Sequence, residues 1–198
     1  MREHRLPNQP APTDTFLSAA RLLPPGCSVS LDLSHIGLAV DVDLALANAS
    51  RLAQATADTG REMMISAEGS DRTDDVLALH GALCERFDHV GLTIQARLYR
   101  TADDLPELLS RPGRIRLVKG AFLEPDAVAH RREAPALATA YLAYAQQLAE
   151  ATPPGSTSSS ARSGGCPSAT ASPRTRSACS RPWSTRRRDH RIHPRHIP

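Results

Sequence analysis

No apolar run among the 198 residues approaches the ~20 that a membrane-crossing helix needs. The opening stretch, MREHRLPNQPAPTD, also lacks the hydrophobic segment of a secretory leader. Cysteine is scarce. Cys27, Cys84, Cys166 and Cys179 form no CxxC pair, and none has histidines at zinc-finger spacing. These absences argue against a spanning protein, a disulfide scaffold and a zinc module. The expectation is a cytoplasmic protein with reduced thiols and no metal, at most peripheral to a membrane.

Positive charge is missing from the body and concentrated at the end. From Thr152 onward there are nine Arg, no Lys and one acid, Asp189, which is about +8. Of the 24 basic and 21 acidic residues in the chain, this leaves 15 and 20 for residues 1–151, or −5. An acidic body without a basic stripe excludes a nucleic-acid-binding domain there. The Arg clusters and Trp183 of the tail would meet nucleic acid through charge alone, and most such charge runs are simply solvated.

The tail has a second deficit. Residues 152–198 contain no Leu, Val, Met or Phe, but ten Ser, nine Arg and seven Pro. Such a segment cannot bury enough apolar surface to offset the entropy of ordering it. It is expected to be disordered and to supply no fifth strand. Its composition resembles a GC-rich reading frame read out of register, so a frameshift or truncation near Glu150 is expected. Residues 1–14, polar and Pro-rich, are also expected to be disordered.

Between these ends, residues 15–151 show a rhythm. A short helix is expected over Thr15–Leu23, capped by Asp14 and stopped at Pro24-Pro25. Strand candidates are Ser28–Leu33, Glu62–Ser66, Val90–Ala96 and Arg114–Lys119. Helical periods fill Asp43–Thr59, Arg72–Phe87, Asp103–Ser110 and Pro135–Glu150. The βαβαβαβα order predicts an α/β fold of parallel strands with helical crossovers.

Side chains alternate across a strand, so parity sorts each strand into two faces. Val29, Leu31 and Leu33 oppose Ser30 and Asp32. Leu92, Ile94 and Ala96 oppose Thr93 and Gln95. Ile115 and Leu117 oppose Arg114 and Arg116. The apolar sets should pack under the helices. The other set puts Asp32, Ser66, Gln95 and Arg116 toward the C-terminal strand ends, where a (β/α) barrel builds its active site. The bland alternative is a sheet with one solvated face, but parallel strands are normally covered on both. Beyond the fourth strand, Lys119-Gly120-Ala121 would let backbone N–H groups approach a bulky ligand.

The runs SVSLDLSHIGL (28–38), VGLTIQARLYR (90–100) and RIRLVKGAF (114–122), with Glu124-Pro125 and Ala129-His130 after them, resemble the first, third and fourth strands of the proline dehydrogenase family. That resemblance implies four βα units of a distorted (β/α)8 TIM-like barrel holding FAD. It implies oxidation of L-proline to pyrroline-5-carboxylate by hydride transfer to the flavin, with electrons passed on to a quinone-type acceptor. Carried over by residue, Gln95 matches a glutamine that hydrogen-bonds the isoalloxazine. Arg116 matches an arginine beside the flavin, where a fixed cation stabilises the reduced ring. Lys119, Gly120 and Ala121 match the segment lining the cofactor, and Ala67 is grouped with them.

Two positions depart from that pattern. Asp32 stands where the family has a lysine, and Ser66 where it has an acid, with Glu68 two residues on. With Arg116 they form the expected catalytic set, and Asp32 would repel a substrate carboxylate. The substrate is therefore expected to be proline or a related amino acid. Nothing from 152 onward matches the family's fifth-strand Thr-His motif or its late pair of arginines. Activity of the chain as written is expected to be impaired. The alternative is an inactive fragment, or a half-barrel that oligomerises without flavin chemistry.

Overall fold

A computed structural model describes residues 11–24, 26–151 and 169–171. Helix α1, Pro12–Leu22, begins earlier than expected. Asp14 lies in its first turn and does not cap it; Pro12 occupies the start, where a missing N–H costs nothing. Strand β1 (Val29–Leu31) leads through a one-turn 3-10 segment, Leu33–Ile36, into α2 (Val42–Asp58). The Asp41 carboxylate caps α2 by accepting from Leu44 N at 2.8 Å. Then follow β2 (Met63–Ile65), α3 (Thr73–Cys84), β3 (Val90–Gln95), α4 (Thr101–Leu108), β4 (Ile115–Val118) and α5 (Pro135–Ala151).

The sheet order is β1-β2-β3-β4, all parallel. Val29 pairs with Met63, Met63 with Val90, and Leu92 with Ile115. The parity sets found in the sequence therefore align across the sheet. Val29, Leu31, Met63, Ile65, Val90, Leu92, Ile94, Ile115 and Leu117 are all buried in one core with Leu52, Leu79, Leu83, Leu105 and Leu148 of the helices. Each such side chain contributes about 1.5–3 kcal/mol through removal from water, so the outer face of the sheet holds the fold together.

The tail does not leave β4 bare. Ala169–Ala171 form a short strand, β5, antiparallel to β4, with Ile115 opposite Ala171 and Leu117 opposite Ala169. This corrects the expectation that residues 152–198 add no strand. Backbone pairing is independent of side-chain hydrophobicity, and an open strand edge offers a row of N–H and C=O groups to whatever segment reaches it. The remaining expectations for 152–198, Trp183 included, and for residues 1–10, lie outside the described residues. Among the described residues no helix is long and apolar enough to cross a membrane, and no cluster of His, Cys, Asp or Glu is placed to hold a metal ion.

Candidate functional site

The polar parity set converges on the sheet face away from the helices. Arg116, in β4, pairs with Thr93 of β3. Its Nε donates to Thr93 Oγ1 at 2.9 Å, and its Nη2 reaches across β2 to Ser30 Oγ at 3.3 Å. Ser30 Oγ in turn lies 3.3 Å from Ser66 Oγ. Strands β1 and β3 and the residue just past β2 thus contribute hydroxyl groups to a row on which one guanidinium lies. Burial pushes the Arg116 guanidinium below its usual pKa; Glu62 and Asp32 oppose the shift, and Arg114 adds to it. Asp32 stands just after β1, half exposed, 3.7 Å from His35 Nδ1. It acts on Arg116 through the field between them and makes no ion pair with it among the described residues.

Gln95 ends β3 one pleat beyond this row and is 4% exposed. Its Nε2 donates to the Glu68 carbonyl at 2.7 Å, while its Oε1 is buried with no hydrogen-bond partner among the described residues. A buried acceptor left open costs free energy unless something completes it. Ala67 lines a small cleft together with Glu68, Thr93 and Gln95. The structure therefore brings Ser66, Arg116, Ser30 and Thr93 into one hydrogen-bonded row, and sets Gln95 above it.

Lys119, Gly120 and Ala121 follow β4. Lys119 and Ala121 are exposed. Gly120 has φ +110°, a conformation that favours glycine. A Cβ there would lie 2.6 Å from Arg97 Cδ and 2.9 Å from Gln95 Oε1. This adds a packing reason for Gly120 to the ligand-approach reason drawn from the sequence: the space a side chain would need is already held by Arg97.

Carboxylates tie the loops above the strands to one another. Glu68, after β2, accepts from Ser34 N at 2.7 Å and from Ser34 Oγ, reaching the segment after β1. Glu124, after β4, accepts from Ser70 N at 2.9 Å and from Ser70 Oγ. Glu68→Ala is expected to lower stability by roughly 1–3 kcal/mol, since it leaves the part-buried Ser34 N–H without its acceptor. Urea midpoints at neutral pH test this; a loss below about 0.5 kcal/mol, as for an ordinary surface change, would show that the tie is incidental.

Sequence reasoning passed over Arg97, and it named Ser30 and Thr93 only as members of a parity set. The parity carried the signal for Ser30 and Thr93, which sit on the same face as Arg116. Arg97 lies past the end of β3, where alternation no longer predicts a direction, and nothing local marks it.

No family model matches the chain. Proline dehydrogenase 2 of Bacillus subtilis is 36% identical over 102 residues, which is 51% of this chain and 33% of that protein. Proline dehydrogenase of Deinococcus radiodurans is 36% identical over 107 residues, covering 52% and 34%. The chain thus spans about a third of the length of the curated relatives it matches. In structure, a point mutant of proline utilization A from Bradyrhizobium japonicum superposes with a TM-score of 0.61 at 23% identity, over 72% of this chain and 18% of that one. Proline utilization A with proline bound in remote sites gives a TM-score of 0.60 at 22% identity, over 71% and 18%. These structural likenesses bear out the α/β fold with four parallel strands as part of a barrel.

Proposed function

We propose that this chain, whose body is related to the proline dehydrogenase family over about half of its length, carries the flavin-facing first units of a barrel that oxidises proline or a related amino acid. The observation that carries this reading is the Gln95–Arg116 pair: a buried open acceptor and a cation on one sheet face, at the strand ends where such barrels place their chemistry. Both match positions that the resemblance assigns to the flavin.

The residues present fit FAD. Gln95 Oε1 offers an acceptor that a ring N–H of an isoalloxazine would complete. Arg116 offers a cation held in place by Thr93 and Ser30, so little reorganisation is needed when negative charge develops nearby. Lys119, Gly120, Ala121 and Ala67 would border the ring. When bound, the flavin would accept the hydride removed from the carbon next to the substrate nitrogen. The chain's own part is to hold and orient. Ser66 supplies a hydroxyl that hydrogen-bonds without carrying charge, and Asp32 supplies an anion that favours a cationic amine over a carboxylate. A quinone-type acceptor for the electrons belongs to the same reading.

One observation favours a second reading, an inactive fragment. Ala169–Ala171 occupy the free edge of β4 in antiparallel sense, where a barrel would continue with a parallel strand. A polypeptide of these 198 residues, purified and mixed with FAD, is therefore expected to turn over L-proline far below the roughly 1–1,000 per second of ordinary enzymes. The described residues place Arg116 alone as a cation on the inner row, and productive geometry needs the substrate fixed on more than one side. Visible flavin absorbance of the purified protein and dye-linked proline oxidation measure the two parts separately. No absorbance change with added FAD would sink the flavin reading; turnover near 1 per second or faster would sink the expected impairment.

A further inference from the structure

Arg97 is a charged side chain that is only 4% exposed, and among the described residues it forms no salt bridge. Among the described residues its side-chain hydrogen bonds all end on backbone carbonyls of the segment after β4. Nη1 donates to Phe122 O, Nη2 to His130 O at 3.0 Å, and Nε to the same His130 O at 3.3 Å. Its backbone grips that segment too: Arg97 N donates to Lys119 O at 3.0 Å, and His130 N to Arg97 O at 2.8 Å. Next to it Leu98 bridges Ala129, Tyr99 N donates to Val128 O at 3.0 Å, and the Tyr99 ring stacks edge-on to His130 with centroids 4.6 Å apart. The aliphatic stem of Arg97 fills the space against Gly120 that a Cβ would need.

A buried guanidinium is expensive when no carboxylate pairs with it directly; Asp126 of the same loop reaches Arg97 only through the field between them, and a methionine would fill a similar volume without that cost. What the arginine adds is a planar fork that fixes two carbonyls at once. Those carbonyls, at 122 and 130, lie just past the segment Lys119–Ala121 and at the far end of its loop. We propose that Arg97 is a positioning residue: it folds the 119–130 loop over its own side chain, and thereby sets Lys119–Ala121 against Gln95. The consequence for the cofactor rests on the flavin reading above; the loop geometry does not.

The test uses the full chain as wild type, Arg97→Met and Arg97→Lys. Hydrogen exchange of the amides from 119 to 130 is measured without ligand, and FAD is then titrated by fluorescence quenching. Arg97→Met is expected to speed exchange at 128–130 about tenfold or more, with β1 to β3 and α3 unchanged, and to weaken FAD binding about tenfold or more. Arg97→Lys, a point charge able to reach fewer carbonyls, is expected to fall between. Loop exchange as slow as wild type in both variants overturns the proposal, as does loosening spread evenly through the sheet. If Arg97→Met does not fold, Arg97→Lys decides alone: loosening confined to the loop supports the proposal, and wild-type behaviour overturns it. Wild type that ignores FAD, with the loop effect intact, sinks the flavin reading and leaves the positioning of the loop standing.

Discussion

Gly113→Ala is expected to cost about 4 kcal/mol or more, a loss in the exceptional range for a single substitution. Gly113 lies just before β4, with φ +88°. A Cβ at that position would sit 1.9 Å from Val90 O and 2.8 Å from Val90 C, at the start of β3. Both contacts are with backbone, so no side-chain rotation relieves them. The chain would have to push β3 and β4 apart where their pairing begins, next to the hydrogen bond from Leu92 N to Arg114 O at 2.9 Å. Domains of this size have about 5–15 kcal/mol of stability in all, so the variant should unfold at much lower urea or be recovered insoluble. Gly60→Ala is the control. Its φ is +62°, and nothing lies within 4 Å of the added Cβ, so only the backbone strain of roughly 1–2 kcal/mol applies. Urea midpoints followed by circular dichroism compare the two; equal losses would show that the β3–β4 contact yields, and that the clash is not what demands glycine at 113.

Acid should weaken the fold through His80. This residue, on α3, is 2% exposed. Its Nε2 lies 3.2 Å from Val90 O and 3.3 Å from Cys84 Sγ, and its Nδ1 lies 3.3 Å from Arg111 Nη1. A ring that donates at Nε2 and accepts at Nδ1 is neutral; a proton on Nδ1 would face a guanidinium across a buried contact. Burial first, and then Arg111, push the pKa from 6.5 down to about 4. The same burial pushes the Cys84 thiol up to about 11, so no thiolate is at hand to offset a charged ring near neutral pH. Between those values for His80 the unfolded chain binds a proton that the folded chain refuses. Stability from this group is therefore complete above pH 6.5 and falls as the pH drops toward 4, by about 3 kcal/mol in total. Below that, the folded state also takes the proton and the loss from His80 stops. His80→Gln keeps a donor for Val90 O and does not titrate. Unfolding free energies at pH 7.5, 6 and 4.5 for both proteins isolate the effect, since the carboxylates titrate in each. Parallel curves for the two would refute the assignment.

Arg111 belongs to that contact and also shows where sequence reading stops. It donates to Leu77 O at 2.8 Å and pairs with Glu107 at 2.7 Å, and so joins α3 to the turn before β4. In the sequence it is one arginine in Ser110-Arg111-Pro112-Gly113, a plain turn. Gly113 is in the same position: a turn glycine by pattern, an irreplaceable one only because Val90 lies beneath it.

Alternation of apolar residues determined by itself the four parallel strands and which face of β1, β3 and β4 meets the helices; β2, buried at all three positions, shows no alternation. Period and parity are properties of neighbouring residues, and burial of one face fixes register strongly. Helix α2 was likewise legible from the apolar period of Asp43–Thr59, though its cap, Asp41, was not. Three features were decided only in the tertiary structure. The first is that Arg116 spends its donors on Thr93 and Ser30, a contact across 86 residues of chain. The second is that Arg97 is buried under a loop 25 to 33 residues away. The third is that a Leu-free tail still finds the edge of β4. Each depends on what another segment places at the same point in space: an acceptor, a carbonyl pair or an open edge. Composition forecasts the hydrophobic part of folding well because that part is non-directional and close to additive. Hydrogen bonds are directional and need both partners, so the second partner must be located before the first can be read.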